Sequence, residues 1–196
     1  MKIAAIAGSL TPLSKTLLTV KETVNHIKKS HPEIEVNVID LKKYQLTFCD
    51  GRDPSEYQGD SKRLIEEIVQ ADALIVGTPI YRGSIPGALK NVFDLIPNTA
   101  LKGKVLAFIA TGGTYHHYLA IEHQLKPLAG YFKAYTLPGN VYAHNEHFEN
   151  KQLADETIKE RLHQLADSVV TFSKQINGNV IGADQPVIPR QSLAQT

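Results

Sequence analysis

The sequence predicts an α/β protein in which a five-stranded, doubly wound parallel sheet has helices packed on both faces. Short apolar runs with the length of buried strands alternate along the chain with amphipathic runs of helical period, as in parallel sheets. The third apolar run is apolar at nearly every position, which is typical of a strand buried on both faces. Loops rich in glycine and hydroxyl residues follow the first, third and fourth runs, at the edge where such sheets bind ligands. These features favour the strand order 2-1-3-4-5.

The first half of the chain contains three of the strands and two of the helices. Ser14 can cap the first helix, and Lys28 and Lys29 complement the negative end of its dipole. The sequence His31-Pro32 ends this helix, because proline disfavours helical backbone in the residue before it. Residues 41–58 are predicted to be irregular. The elements are predicted as a strand at Ile3–Ala7, a helix at Ser14–Lys29, a strand at Ile34–Ile39, a helix from Asp60 or Ser61 through Val69, and a strand at Ala73–Gly77.

The second half continues the alternation with three helices and two strands. Pro86 is tolerated in the first turn of the next helix, where its missing N–H group is not needed. The elements are predicted as a helix at Ile85–Ile96, a strand at Lys104–Ala110, a helix at Tyr115–Gly130, a strand at Ala134–Leu137 that resumes at Asn140–Ala143, and a helix at Asp155–Gln175. Residues 1–176 are therefore predicted to form one domain, and residues 177–196 an extended or disordered tail.

Composition excludes several classes of protein. The net charge of +1 gives no electrostatic basis for binding nucleic acid or an anionic membrane. No apolar run approaches the roughly 18–20 residues of a membrane span. A single cysteine, Cys49, allows no internal disulfide and no cysteine-based metal site. His144 and His147 are not predicted to lie on a helix that would bring them together as ligands, so no bound metal is expected. There is no signal-peptide pattern, and cytoplasm is the expected location.

The loop after the first strand has the properties of a phosphate-binding loop. It runs from Gly8 to Thr16 and leads into a helix, so free backbone N–H groups and the positive end of the helix dipole converge there. Hydroxyls at Ser9, Thr11, Ser14 and Thr16 add donors. The loop lacks both the Walker ending and the three-glycine dinucleotide pattern, which favours a terminal phosphate such as that of FMN. An ordinary capped turn between strand and helix is the alternative.

The other two loops suit a flat ring. In Thr78-Pro79-Ile80-Tyr81 the proline fixes the backbone and the tyrosine offers an aromatic face, while amides of the loop can meet the polar edge of an isoalloxazine. Gly112 and Gly113, between Thr111 and Thr114, allow a ring to lie against the backbone. The alternative for the loop after the third strand is an ordinary strand end with a packed tyrosine. The alternative for the loop after the fourth strand is a flexible turn. The combination of three loops on one sheet edge is more specific than any one of them.

In combination, these motifs resemble those of the NAD(P)H-dependent FMN reductase family, over about Met1 to Phe172. The matching motifs are Gly8-Ser9 with Ser14 and Thr16, Thr78-Pro79-Ile80-Tyr81 with Gly87-Ala88-Leu89-Lys90, and Ala110-Thr111-Gly112-Gly113-Thr114 with Leu125-Lys126-Pro127-Leu128. The similarity is greatest to the branch that supplies reduced FMN to alkanesulfonate and methanesulfonate monooxygenases. The resemblance implies a flavodoxin-like fold and an FMN site formed by the three loops.

The resemblance assigns cofactor-binding roles residue by residue. It implies that the FMN phosphate is held by Ser9, Thr11, Ser14, Lys15, Thr16 and Leu17. It implies that the isoalloxazine contacts Pro79, Ile80, Tyr81, Arg82, Gly83 and Ser84, and that the pocket is also lined by Thr111, Gly112, Gly113 and Thr114. No catalytic acid or base is expected on the protein, since hydride passes directly between the two cofactors.

Two positions depart from the pattern of the family. Many relatives carry arginine where this chain has Thr11, so the phosphate is expected to be held more weakly or through Lys15. In the sulfonate-linked branch, the helix before Lys126-Pro127 can contain an inserted tyrosine that makes a π-bulge at a subunit interface. This chain has His123 there, and His123 is therefore a candidate for control of flavin exchange or of the interface.

The sequence thus predicts an enzyme that transfers hydride from NADPH or NADH to FMN. Reduced flavin would pass to a flavin-dependent monooxygenase, or it would be reoxidised in place by a quinone, an azo dye or a metal ion. Alternatives of another class are a flavodoxin-type electron carrier, against which the net charge of +1 argues, and a non-enzymatic regulatory flavoprotein. A homodimer or homotetramer is expected, because the helices predicted at Ile85–Ile96 and Tyr115–Gly130 carry more apolar residues than one sheet face needs.

Overall fold

Six strands form the central parallel sheet of the computed structural model, which describes residues 1–182. They are β1 (Lys2–Ala7), β2 (Glu35–Asp40), β3 (Ala73–Pro79), β4 (Val105–Gly112), β5 (Tyr135–Thr136) and β6 (Val141–His144). Their order is β2-β1-β3-β4-β5, and β6 also pairs with β4. The flavodoxin-like order predicted from the sequence is confirmed, and β5 and β6 are the two parts of the interrupted fifth strand.

In the described part of the chain, five α-helices cover the two faces of the sheet. They are α1 (Lys15–Ser30), α2 (Gly59–Gln70), α3 (Gly87–Leu95), α4 (Lys126–Tyr131) and α5 (Glu156–Ile176). A short antiparallel hairpin of β7 (Phe148–Glu149) and β8 (Gln152–Leu153) precedes α5. None of the helices in residues 1–182 is long and apolar enough to cross a bilayer.

Alternate side chains of the strands belong to two separate cores, because successive residues of a strand point to opposite faces. Ala4 and Ile6 of β1 pack with α2, α3 and α4, whereas Ile3 and Ala5 pack with α1 and α5. All four side chains are almost completely buried. The sheet therefore lies between two helical layers, and the loops at its carboxyl edge are where a ligand can approach.

The predicted helix at Tyr115–Gly130 is wrong as a continuous α-helix. The structure has a 3₁₀ turn at Tyr115–His117, a π-helical segment at Ile121–Leu125 and then α4. The Lys126 amide donates to the Ile121 carbonyl, five residues earlier, and this bond defines the wide turn. Pro127 follows at once, and its missing N–H group and its ring both oppose regular α-helical bonding to the preceding turn.

Two smaller differences concern helix and loop boundaries. Pro86 lies just before α3 in extended backbone, instead of in its first turn, so the helix predicted from Ile85 begins at Gly87. Two 3₁₀ turns, at Leu41–Lys43 and Pro54–Glu56, interrupt the stretch predicted to be irregular. The predicted tail begins just after α5; its residues 183–196 lie outside the described part of the chain, and the tail stays a prediction.

Asp155 caps the final helix and provides a test of how that helix is held. Its carboxylate accepts a hydrogen bond from the Ile158 amide at 2.9 Å. We expect Asp155→Ala to lower the free energy of unfolding by about 1 kcal/mol, as loss of an N-cap does. Urea denaturation measures this, and Asp155→Asn, which keeps the acceptor oxygen, is the matched control. Equal stability of the alanine and asparagine variants would show that the cap does not stabilise α5.

Candidate functional site

A cleft of about 370 Å³ lies at the carboxyl edge of the sheet, where the loops after β1, β3 and β4 meet. It is lined by Ser9, Thr11, Leu13, Ser14, Lys15, Thr16, Pro79, Ile80, Tyr81, Thr111, Gly112, Gly113 and Asn145. The three loops singled out in the sequence are thus brought together in one place. A second cavity, of about 470 Å³, lies beside α2 and away from these loops, between Asp53 and Pro97.

The first loop ends in a capped helix whose positive end faces this cleft. Ser14 has extended backbone, and its hydroxyl accepts a hydrogen bond from the Leu17 amide at 3.1 Å. Other amides in the first turn of a helix have no carbonyl partner within the helix. The Ser9 hydroxyl shares hydrogen bonds with the Thr11 hydroxyl at 2.9 Å and the Tyr81 hydroxyl at 3.3 Å. This end of the cleft is therefore rich in donors for an anion.

Lys15 is the one charged residue that lines the cleft within the described part of the chain. Its ammonium group donates to the Asn145 side-chain oxygen at 2.8 Å and lies 5.2 Å from the centre of the Phe148 ring. These contacts hold a positive charge beside the N-terminus of α1. Because no carboxylate lines the cleft in residues 1–182, the local field favours a negatively charged group such as a phosphate.

A buried hydrogen bond joins the first loop to the third. The hydroxyls of Thr16 and Thr111 are 2.7 Å apart, and both residues are almost fully buried. The start of α1 is thereby tied to the end of β4, so the first and third loops are held next to each other at the cleft. Thr16 has a structural role as well as a predicted binding role, and its replacement would leave a buried hydroxyl without its partner.

Close packing beneath the third loop explains its two glycines. A Cβ atom on Gly112 would overlap the Tyr142 hydroxyl, and one on Gly113 would lie 2.9 Å from the Asn145 amide nitrogen. The Tyr142 hydroxyl donates to the Thr114 carbonyl at 2.5 Å. Because the glycines are supported from below and carry no side chains, the backbone offers a flat surface to the cleft. A planar ring could rest there, as the sequence predicts.

The second loop makes a tight turn beside the cleft. Tyr81 and Ser84 exchange backbone hydrogen bonds of 2.8 and 3.0 Å, and the two central residues have positive φ, 51° at Arg82 and 79° at Gly83. This is the pattern of a two-residue hairpin with a primed turn. Ile80 is buried beneath the loop, whereas Tyr81 is 44% exposed at the mouth of the cleft. The aromatic face of Tyr81 is therefore accessible to a bound molecule.

Five of the predicted site residues do not line the cleft. Leu17 packs against the core formed by α1 and α5, and the Thr114 hydroxyl accepts a hydrogen bond from the His116 amide. Arg82 and Gly83 form the tip of the turn, and the Ser84 hydroxyl donates to Gln124. Contact of these residues with FMN stays a prediction.

Two lining residues, Leu13 and Asn145, were missed by sequence reasoning. Leu13 lies within the predicted phosphate loop but carries no polar group that would single it out. Asn145 follows β6, whose end reaches the same sheet edge as the other three loops. The position of Asn145 directly after a strand could have identified it in the sequence, because the residues that follow each strand of a parallel sheet lie at this edge.

Aromatic and acidic side chains next to the third loop and to Asn145 in the sequence contact one another. Tyr115 stacks on His144 with ring centres 4.5 Å apart, and its hydroxyl donates to the Glu146 carboxylate. This hydrogen bond raises the pKa of Tyr115 and lowers the pKa of Glu146 from their ordinary values. Within residues 1–182, no group of histidine, cysteine and acidic residues is arranged to hold a metal ion.

The fold and the cleft define a flavodoxin-like protein whose site combines a donor-rich helix N-terminus with the backbone of two glycines. The family model for NADPH-dependent FMN reductase matches residues 1–149, and the chain belongs to that family. It is accordingly an oxidoreductase that uses NAD(P)H and FMN. The cleft fits FMN, since a donor-rich helix N-terminus with Lys15 suits the phosphate and the Gly112-Gly113 backbone suits the ring.

Two curated relatives are similar in sequence to this chain over most of their length. The chain is 49% identical over 171 residues to the NAD(P)H-dependent FAD/FMN reductase of Geobacillus thermodenitrificans, covering 87% of this chain and 92% of the relative. It is 31% identical over 172 residues to the NADH-dependent FMN reductase SfnF of Pseudomonas putida, covering 88% and 92%. A solved apo structure of the NADH:FMN oxidoreductase EMOB shares the fold with a TM-score of 0.75, at 24% identity and coverage of 87% and 89%.

Proposed function

We propose that this protein reduces FMN with NADPH or NADH in the cleft described above and delivers the reduced flavin to a flavin-dependent monooxygenase. The observation that carries the site is the convergence of three loops on one cleft with a single lysine at its phosphate end. The delivery role is supported by the likeness to SfnF, named as an NADH-dependent FMN reductase, and by the similarity to the sulfonate-linked branch.

The residues of the cleft would bind and orient the two substrates. Backbone amides at the start of α1, the Ser9 and Thr11 hydroxyls and the Lys15 ammonium group would hold the phosphate. Pro79, Tyr81 and the Gly112-Gly113 backbone would bracket the isoalloxazine at the other end. When bound, FMN supplies the chemistry of hydride acceptance from the nicotinamide. The protein contributes alignment and amide donors that stabilise negative charge on the ring, and no side chain has to move a proton.

The first experiment follows oxidation of NADPH and NADH in air by gel-filtered protein, with and without free FMN. Turnover that rises and saturates with added FMN supports FMN as a substrate that leaves the enzyme. A yellow protein that turns over without added FMN, and faster with a quinone or azo acceptor, would replace the delivery role by a flavin-retaining reductase. Absence of turnover under both conditions would contradict the proposed function.

We also propose that the chain forms a homodimer or homotetramer through the surface around the π-helical segment. Three large side chains near it are more than half exposed, namely Tyr118, Leu119 and Tyr131. His123 is exposed within the segment itself. Exposed large apolar side chains that flank one segment beside a predicted binding site favour an interaction surface.

His123→Ala is expected to weaken this assembly and to speed dissociation of FMN several-fold, because it removes an exposed side chain from the wide turn. Sedimentation equilibrium measures the assembly, and stopped-flow displacement of FMN measures the rate. Asn25→Ala, at an exposed position of α1 on the opposite helical layer, is the control. If the assembly and the dissociation rate both match those of the wild type, His123 has no role in either.

A further inference from the structure

We infer that Gln124 is a positioning residue that holds the turn Tyr81–Ser84 in its cleft-forming conformation and joins it to the π-helical segment. This inference rests on the proposed function, since it concerns the loop proposed to contact the isoalloxazine. Gln124 does not line the cleft itself. Its effect on flavin binding would therefore be transmitted through the loop.

One side-chain amide makes three hydrogen bonds to three consecutive residues of the loop. The Gln124 oxygen accepts from the Ser84 hydroxyl at 2.8 Å and from the Ile85 amide at 3.0 Å. The Gln124 nitrogen donates to the Gly83 carbonyl at 2.9 Å. The oxygen and the nitrogen of the amide are both hydrogen-bonded, so the loop fixes the orientation of the amide and the amide restrains the backbone of the loop.

The turn needs such support because its backbone is strained. Arg82 has φ of 51°, a left-handed conformation that costs a residue with a Cβ atom of the order of 1 kcal/mol or more. Only the pair Tyr81 and Ser84 closes the turn through backbone hydrogen bonds. The three bonds to Gln124 fix the residues immediately after the strained position. They thereby hold Tyr81, at the other end of the turn, against the cleft.

The π-helical segment determines where Gln124 points. A π-turn contains one more residue than an α-turn, so a side chain within it is rotated relative to its position in a regular helix. The segment Ile121–Leu125 places the Gln124 side chain on the second loop, while Ile121 and Leu125 remain buried in the core. The ring end of the cleft is therefore mechanically connected to the surface that carries His123.

The test compares Gln124→Leu, Gln124→Glu and the control Gln164→Leu, whose amide lies on the exposed side of α5 and donates to Glu160. Flavin fluorescence quenching gives the dissociation constant of FMN from pH 8 to pH 4, and steady-state kinetics give KM for FMN and kcat. We expect Gln124→Leu to raise the dissociation constant of FMN about tenfold at every pH relative to the wild type, and to change KM more than kcat. Gln164→Leu should match the wild type.

The glutamate variant separates positioning from general stability. At pH 8 its carboxylate cannot donate to the Gly83 carbonyl, and FMN should bind about as weakly as in the leucine variant. As the pH falls to 4, below the ordinary glutamate pKa of about 4.3, protonation restores a donor, so the deficit relative to the wild type at the same pH should shrink. Ser84→Ala, which removes one of the three bonds, gives a milder variant if Gln124→Leu fails to fold.

Four outcomes would overturn the inference or locate its failure. FMN affinity of Gln124→Leu and Ser84→Ala within twofold of the wild type would overturn it. A deficit of Gln124→Glu that is the same at pH 8 and pH 4 would also overturn it. If Lys15→Met weakens FMN binding while the Gln124 variants do not, the positioning role of Gln124 is wrong and the proposed site stands. If neither substitution affects FMN, the proposed site fails as well.

Discussion

Gly77→Ala is expected to lower the free energy of unfolding by about 2–3 kcal/mol and to weaken FMN binding, although Gly77 does not line the cleft. A Cβ atom there would overlap a methyl group of Val20 and lie 3.1 Å from the Thr16 methyl and 3.3 Å from the Ile6 carbonyl oxygen. β3 would push α1 away from the sheet, and overpacking of this kind costs about 1–3 kcal/mol. Displacement of α1 also moves the proposed phosphate site.

Urea denaturation and flavin fluorescence measure the two effects of Gly77→Ala. Gly130→Ala is the matched control, because Gly130 is exposed in α4 and a Cβ atom there meets nothing within 4 Å. Its stability should rise by up to about 1 kcal/mol, since alanine suits a helix better than glycine. A Gly77→Ala variant as stable as the wild type would show that the packing of α1 on β3 is not as close as described.

Lys15→Met is expected to raise the dissociation constant of FMN by about tenfold to a hundredfold and to leave the affinity for riboflavin unchanged. Lys15 is the charged residue at the phosphate end of the cleft, and riboflavin lacks the phosphate. A hydrogen bond to a charged group contributes about 1.5–3 kcal/mol, and each 1.4 kcal/mol corresponds to a factor of ten in affinity. Methionine keeps most of the unbranched chain and removes only the charge and the donors.

Titration of flavin fluorescence at low and high salt measures this difference. FMN affinity of the wild type should fall as salt rises, and that of Lys15→Met should fall less, because salt screens exposed charges. Lys21→Met, an exposed lysine on the same helix, is the control and should behave as the wild type. Equal losses for FMN and riboflavin in Lys15→Met would assign Lys15 to the ring end or to folding instead of the phosphate.

Periodicity and turn chemistry were sufficient to predict the sheet and most helix boundaries. The helix predicted at Ser14–Lys29 lies at Lys15–Ser30, and the capping role of Ser14 is confirmed by its hydrogen bond to Leu17. Such features are local, since they depend on residues a few positions apart. The interruption of the fifth strand was likewise visible, because the apolar run stops at Leu137 and resumes near Asn140.

Features that depend on distant residues could not be predicted in the same way. The apolar pattern over Tyr115–Gly130 fits a regular helix, and only the structure shows the wide turn before Pro127. Gln124 looks like a surface residue in the sequence, because its partners lie about 40 positions earlier in the chain. The left-handed backbone of Arg82 is equally hidden, since its residue type does not favour that conformation.

The central claim is that FMN binds in the cleft between the loops after β1, β3 and β4, and backbone amide NMR tests it most directly. Adding FMN to labelled protein should shift amides of Ser9–Lys15, Ile80–Ser84 and Thr111–Thr114 most strongly, with Asn145 among them. Riboflavin should shift the second and third loops but leave the first loop much less affected. Shifts concentrated in the cavity beside α2, between Asp53 and Pro97, or absent from the three loops, would contradict the claim.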